Sequence, residues 1–291
     1  MKVHLLDATY ELFRAHYGRP PRRDPSGRPV SATIGLVETT LALLREPGVT
    51  HLGAASDHVI RSFRNRLYAG YKTEVGMPPE LLAQFELAEE ALRTTGVVVW
   101  PMIEFEADDA MATAAARWAA DPRVEQVVIC SPDKDLAQCV TDGRVVQLDR
   151  RKRIVFDDGG VRERLGVSPG SVPDYLALVG DSADGYPGLP GWGKTSASVV
   201  LGRFEHLEAI PEKASEWGLP LGGAVRLAAT LRERWEEALL YRELARLRTD
   251  VPLPESLDDL RWHGAHREPF RALCASLGAP DLATRPHRWQ D

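Results

Sequence analysis

Three carboxylates occupy four positions at Glu106-Ala107-Asp108-Asp109, where Phe105–Ala110 opens a helical run extending to about Ala120. One acid at a helix start is ordinary, because the amino-terminal dipole and its unpaired N–H groups favour an anion. Three crowded together repel, and some must stay protonated unless cations neutralise them. Magnesium suits such a group, since it is hard, takes carboxylate oxygens and retains waters. The bland reading is an over-acidic helix start facing solvent. It loses force because the pattern recurs along the chain.

Lys2–Leu6 is a short apolar run ending at Asp7, followed by a helical stretch, Ala8–Tyr17, that carries Arg14. Leu52–Ser56 reads as a second strand with Asp57 at its end, and Val97–Trp100 as a third, just before the acidic helix start. Gln126–Ser131 is a buried strand whose end carries Asp133-Lys134-Asp135. Helical periodicity separates these runs at Ala32–Arg45, with Ser31 as its expected cap, and from Pro78-Pro79 to about Thr95. Strand–helix alternation of this kind predicts a mainly parallel sheet flanked by helices. Ligands of such sheets gather outside the carboxyl ends of the strands, where every one of these acids falls. Independent surface acids would not share one edge. The convergence predicts a multi-metal site.

Beyond Pro169 the chain turns helical, at Ser171–Val179, Thr195–Arg203, Gly222–Arg232 and Trp235–Arg248. The first two helices flank Gly180-Asp181-Ser182-Ala183-Asp184 and a turn rich in glycine, Gly188, Gly191 and Gly193, that leads into Lys194 and Thr195. Gly188 to Thr195 matches the Walker A pattern by letter. That pattern has force only after a buried strand, and here it follows a helix; Pro190 also removes an N–H from the loop. A glycine turn between helices suits another task, close approach of a phosphodiester backbone to main chain and to a helix amino end. Arg61–Lys72 is the most basic stretch, with Arg61, Arg64, Arg66 and Lys72 interleaved with Phe63, Tyr68 and Tyr71. Cations meet phosphates and aromatics stack on exposed bases; a solvated helix face over core aromatics is the alternative. Arg19–Pro29, rich in proline and arginine, reads as a mobile basic loop.

The net charge of −6 at first argues against a nucleic-acid partner. Nine acids are candidate ligands, however, and with those set apart the remainder of the chain is net positive. Asp7 interrupts the first apolar run before a secretory signal could form, and no apolar run reaches transmembrane length. Three cysteines without a C-x-x-C pattern imply a reducing, cytoplasmic setting.

In combination these motifs resemble the 5′-nuclease (flap endonuclease) family, which includes the 5′-nuclease domain attached to bacterial DNA polymerase I. The similarity runs from about Lys2 to Pro252. Val3–Asp7 with Arg14 resembles the family's opening strand and nearby arginine, and Asp57 through Gly70-Tyr71-Lys72 its second acidic strand end and arch base. Glu106–Asp109 and Asp133–Asp135 resemble the central acidic motifs, and Gly180–Ala197 the last metal motif and the duplex-gripping helix-three-turn-helix. The resemblance implies a PIN-like α/β nuclease core over residues 1–168, with an arch at about 61–95. It implies a helical DNA-binding subdomain over 169–291, including the helix-three-turn-helix at about 171–203 and a tail.

The implied activity is hydrolysis of DNA phosphodiesters at 5′ ends and 5′ flaps with two or more Mg²⁺ or Mn²⁺ ions. Asp7, Asp57, Glu106, Asp108, Asp109, Asp133, Asp135, Asp181 and Asp184 are the implied metal set, and Lys72 and Arg14 the groups at the scissile phosphate. Arg61, Arg64, Tyr71, Gly188, Gly191, Gly193, Lys194 and Thr195 are the expected DNA contacts, with a monovalent cation at the helix-three-turn-helix. A monomer without nucleotide cofactor or membrane partner is expected, and with nothing resembling a polymerase, a free-standing nuclease. Rival readings are a ribonuclease of the same metal-dependent fold, a non-catalytic junction-binding protein and a P-loop NTPase. Departures from the family pattern touch grip rather than chemistry: Thr73-Glu74-Val75 where basic residues usually follow, Pro190 in the hairpin, Lys194 one place early, and Gly185 for the usual Asn.

Overall fold

The apolar runs Val3–Leu6, Leu52–Ala55 and Val127–Cys130 are buried on both faces, as central parallel strands covered by helices must be. A computed structural model describes residues 1–290, and the chain forms two compact units. Unit 1 comprises Met1–Ile60, Glu74–Ser131 and the segment from Thr249 onward; unit 2 comprises Arg61–Thr73 and Pro132–Arg248.

Unit 1 begins with β1 (Lys2–Asp7), α1 (Ala8–Gly18), α2 (Ser31–Leu44) and β2 (His51–Asp57). The chain then passes through Arg61–Thr73, which carries the short α3 (Arg64–Leu67) of unit 2. It returns with α4 (Pro79–Leu82), α5 (Phe85–Thr94), β3 (Val98–Met102), α6 (Ala107–Ala119) and β4 (Gln126–Cys130). Strand order is β3-β2-β1-β4, all parallel. Register pairs Asp7 with Ala55, Leu6 with Cys130 and Asp57 with Met102, so the carboxyl ends of the strands share one edge. That edge carries the acids of this unit.

Two expectations in unit 1 are corrected. Ser31 is the first residue of α2 rather than its cap; Gln84 Oε1 instead accepts from Ala32 N at 3.0 Å and Thr33 N at 3.1 Å. Serving that role places Gln84 between α4 and α5, which read from sequence as one helix. The segment expected as a mobile loop contains an ordered turn, in which Asp24 accepts from Ser26 N and Arg28 N, both at 2.9 Å. Those hydrogen bonds, led by the Ser26 hydroxyl, hold the Asp24 carboxyl down at about 2.

Unit 2 contains the antiparallel pair β5 (Val145–Asp149) and β6 (Ile154–Phe156), then α7 (Asp158–Leu165), α8 (Val172–Val179), α9 (Lys194–Phe204), α10 (Ala224–Glu233) and α11 (Trp235–Ala245). Its core joins Tyr175 and Leu176 of α8, Ala197 and Val200 of α9, and Tyr241 and Leu244 of α11, with Tyr71 from the inserted segment. The chain ends in unit 1, where α12 (Arg267–Ser276) lies. Among the described residues no helix is long and apolar enough to cross a membrane.

Candidate metal centre and nucleic-acid interface

In unit 1, Asp7, Asp57 and Asp109 accept hydrogen bonds from main-chain N–H groups. Asp7 caps α1, accepting from Tyr10 N at 2.8 Å, and its other oxygen accepts from the Ser131 hydroxyl at 2.8 Å. Asp57 Oδ1 accepts from Ala107 N at 2.8 Å, tying the end of β2 to the start of α6. The Asp57 amide in turn donates to Thr9 Oγ1 at 2.8 Å, tying the same strand end to α1. Of the three acids at the α6 start, Glu106 is the N-cap, and the wholly buried Asp109, three residues on, accepts from Glu106 N at 3.0 Å as the reciprocal arm of a capping box. Glu106 is buried and Asp108 is half-buried. Arg14, on α1, is bonded to the buried Glu11 and reaches Thr39 Oγ1 at 3.1 Å.

Unit 2 gathers Asp135, Asp181 and Asp184, all buried, with one oxygen from each lying within 4.8 Å of the others. Here the balancing groups are ammoniums. Lys72 Nζ is 3.1 Å from Asp184 Oδ1, and Lys134 lies 3.3 Å from Asp135 Oδ1 and is hydrogen-bonded to Asp181 Oδ2. The Tyr71 hydroxyl donates to Asp184 Oδ2 at 3.2 Å, and Asp181 Oδ1 accepts from Ala183 N at 2.9 Å. Half-buried Asp133 accepts from Asp135 N at 2.9 Å.

Burial pushes the Asp135 carboxyl well above its usual range, and the neighbouring Asp133 carboxylate adds to the shift. Burial alone would push the Lys134 ammonium down; Asp135 and the bond to Asp181 reverse that and hold it above the ordinary lysine value. Asp135 Oδ1 is buried and accepts no well-aligned hydrogen bond. An all-carboxylate donor set with such an oxygen fits a hard divalent cation.

Several expected DNA contacts have another role. Arg64 is 1% exposed: its Nε donates to Leu244 O at 2.8 Å and a terminal nitrogen to Arg246 O at 2.9 Å, joining α3 to the end of α11. It is an internal strut and cannot reach phosphate. Tyr71 is buried on Asp184 and offers no stacking face, and Phe63 is buried as well. Gly188 is also internal, since a Cβ there would fall 2.3 Å from Gly180 N. The close Gly180–Gly188 approach, with Leu189 N donating to Leu178 O at 2.9 Å, shapes the turn between α8 and α9. Arg61, Gly191, Gly193, Lys194 and Thr195 are exposed. The element before the Walker-like turn is α8, a helix rather than a strand.

A family model described as the 5′-3′ exonuclease N-terminal resolvase-like domain matches residues 2–166, and one described as the 5′-3′ exonuclease C-terminal SAM fold matches residues 167–268. The chain belongs to the 5′-3′ exonuclease family. It is 35% identical over 278 residues to DNA polymerase I of Pseudomonas aeruginosa, covering 94% of this chain and 30% of that protein. It is 37% identical over 270 residues to DNA polymerase I of Rhizobium leguminosarum, covering 89% of this chain and 26% of that one. The chain thus spans less than a third of the length of these curated relatives.

The fold is shared with solved structures of other proteins. The bacteriophage T5 D15 protein co-crystallised with metal ions aligns at a TM-score of 0.67 and 17% identity, covering 97% of this chain and 96% of that one. Flap endonuclease-1 from Methanococcus jannaschii aligns at 0.59 and 17%, covering 98% and 90%. As a member of this exonuclease family the chain holds its acids in two sets, and two residues that hold them were not singled out from sequence. Ser131 follows β4 and fixes Asp7. Lys134 stands between two acids, a legible signal once both neighbours are read as ligands.

Proposed function

We propose that this chain hydrolyses phosphodiesters of DNA at 5′ ends and at the base of 5′ flaps, using divalent ions, Mg²⁺ or Mn²⁺. The observation that carries the reading is the buried trio Asp135, Asp181 and Asp184, with oxygens inside 4.8 Å, Lys72 on Asp184 and Lys134 on Asp135 and Asp181. Three buried carboxylates without such cations would repel strongly. Family membership supports the same assignment.

Asp133, Asp135, Asp181 and Asp184 would hold metal in unit 2; Asp7, Asp57, Glu106 and Asp108 would serve the same reaction from unit 1, and Asp109 would act through the α6 start, whose capping box it completes. When bound, a pair of divalent ions supplies an activated water and neutralises the leaving oxygen of an in-line displacement. The residues of the chain do the rest. Lys72, on Asp184, is the cation to meet the scissile phosphate as charge develops there, and Arg14 is the second. Arg61, Lys194 and Thr195, with the exposed glycines Gly191 and Gly193, would hold the duplex by its phosphates without reading bases. A monovalent cation at that turn and action as a monomer belong to the same proposal.

The test is cleavage of end-labelled 5′-flap, nicked and single-stranded DNA in Mg²⁺, Mn²⁺ or EDTA. Products released from the 5′ end with either metal and none in EDTA are expected. Cleavage that survives EDTA, or binding without cleavage in every metal, would sink the proposal.

A further inference from the structure

Asp133-Lys134-Asp135 places a cation between two acids, and unit 2 turns that cation onto the oxygens a metal would use. Asp181 shows this most directly. Its Oδ1 is engaged by Ala183 N at 2.9 Å, leaving Oδ2 for a further partner, and Lys134 Nζ holds Oδ2. Lys134 also lies 3.3 Å from Asp135 Oδ1, close enough for strong charge attraction, although that oxygen accepts no well-aligned hydrogen bond. Charge, more than directed bonding, therefore fixes Lys134 on Asp135. Asp184 has Lys72 at 3.1 Å from Oδ1 and the Tyr71 hydroxyl at 3.2 Å from Oδ2.

We propose that Lys134 is an internal counter-ion that competes with the divalent ion for the oxygens of Asp135 and Asp181, and so sets how tightly that position binds metal. This rests on the metal-binding reading of the same trio. An ammonium and a divalent ion on the same Asp181 Oδ2 repel each other strongly at ligand distance. The ion must displace Lys134, whose side chain is 34% exposed and so has a path to water. The cost of that displacement weakens metal binding, while the ammonium keeps the buried acids from repelling one another when metal is scarce. Lys134 is thus a positioning residue that tunes occupancy. It does not touch the reacting atoms.

The test is Mn²⁺ binding to the whole chain without DNA, followed by calorimetry and by the electron paramagnetic resonance signal of free Mn²⁺. Lys134→Met keeps length and removes charge; Lys134→Arg keeps charge; Asp181→Asn removes a ligand. Removing a unit charge a few ångströms from the ligand oxygens should tighten the weakest class of Mn²⁺ site in Lys134→Met at least about tenfold. Lys134→Arg should stay within about threefold of wild type, and Asp181→Asn should lose that class. The thermal midpoint of Lys134→Met should fall in EDTA and rise more steeply with added Mn²⁺ than that of wild type.

Mn²⁺ affinity unchanged or weaker in Lys134→Met, with wild type binding metal and Asp181→Asn impaired, overturns the role of Lys134 and leaves the metal site standing. No Mn²⁺ binding by any of these proteins, or binding indifferent to Asp181→Asn, overturns the metal reading and this inference with it. Should Lys134→Met not fold in EDTA, Lys134→Gln takes its place under the same criteria. If both are unfolded in EDTA, the Mn²⁺ concentration that restores cooperative unfolding is compared with the wild-type dissociation constant. A restoring concentration above it counts against the proposal.

Discussion

The two units hold their carboxylates by different means. In unit 1 the donors to Asp7, Asp57 and Asp109 include main-chain N–H groups at helix starts and one serine hydroxyl, supplied by the fold itself. In unit 2 the partners of Asp135, Asp181 and Asp184 include two lysine ammoniums on flexible stems. Backbone N–H groups are held by the helices and strands that carry them, so these contacts of Asp7, Asp57 and Asp109 do not depend on a mobile cation. Ammoniums on flexible stems can withdraw, as the proposed exchange of Lys134 for a divalent ion requires.

The largest effect that could break this comparison is on catalysis. Glu106→Gln in unit 1 and Asp133→Asn in unit 2 each remove a charge at nearly constant size. Both should lower cleavage of a labelled flap by at least about a hundredfold, the scale seen when one stabiliser of developing charge is lost. Duplex binding, read by fluorescence anisotropy, should persist or tighten as a repulsive carboxylate disappears. If only one substitution abolishes cleavage, the two sets do not serve one reaction.

Next in size is stability. Arg64→Met removes the guanidinium that joins α3 to the carbonyls of Leu244 and Arg246 and leaves those carbonyls without that donor. Loss of about 2–3 kcal/mol is expected from urea unfolding, with the salt dependence of DNA binding by the folded fraction unchanged. A shallower salt slope with stability intact would restore Arg64 to the DNA-binding surface.

Arg64 also shows where sequence reading stops. Strand ends, their acids and the parallel character of the sheet were legible, because buried apolar runs and following carboxylates are local signals and parallel register gathers the ends by geometry. The helices around the Gly188–Thr195 turn were legible from apolar spacing. Whether a given arginine or tyrosine faces solvent or core is set by long-range packing: the partners of Arg64 lie 180 and 182 residues away, and Tyr71 meets Asp184 across 113. Composition could not separate those from Arg61, which is exposed. Gly185 is similar. Its φ is +86°, and a Cβ would lie 2.3 Å from Gly70 O, so the departure from the family's asparagine reflects a contact invisible along the chain.

A smaller effect separates the exchangeable cation from the merely adhesive one. Lys72→Ala removes a charge beside Asp184 and should lower the cleavage rate about tenfold at saturating DNA, while the salt slope of binding falls by about 0.9 for one phosphate contact. Lys194→Ala, at the exposed start of α9, should reduce the slope by a similar amount and leave the saturated rate unchanged. Equal rate losses would show that Lys72 has no special place at the chemistry. Binding of ATP that Lys194→Ala abolishes would instead revive the nucleotide-loop reading.

The smallest expected effect tests whether reliance on side-chain cations extends beyond the acidic trio in unit 2. Arg242 donates to buried Asp174 at 2.9 Å and to Glu208 at 2.8 and 2.6 Å. The hydrogen bond from Arg242 is the main cause holding the Glu208 carboxyl down at about 2. A carboxyl depressed in the folded chain contributes stability above its unfolded value, about 4.3, and loses it as pH falls through the folded value. Glu208 is half exposed, so solvent screens the pair and the contribution is small. Wild type should therefore be slightly more stable than Glu208→Gln at every pH above about 4.3, and the gap should close steadily toward pH 2. Thermal midpoints of the two proteins across that window check it. A gap that persists at pH 2 would assign the difference to packing of the side chain, and the ion-pair description of unit 2 would then shrink to the lysines at its acidic trio.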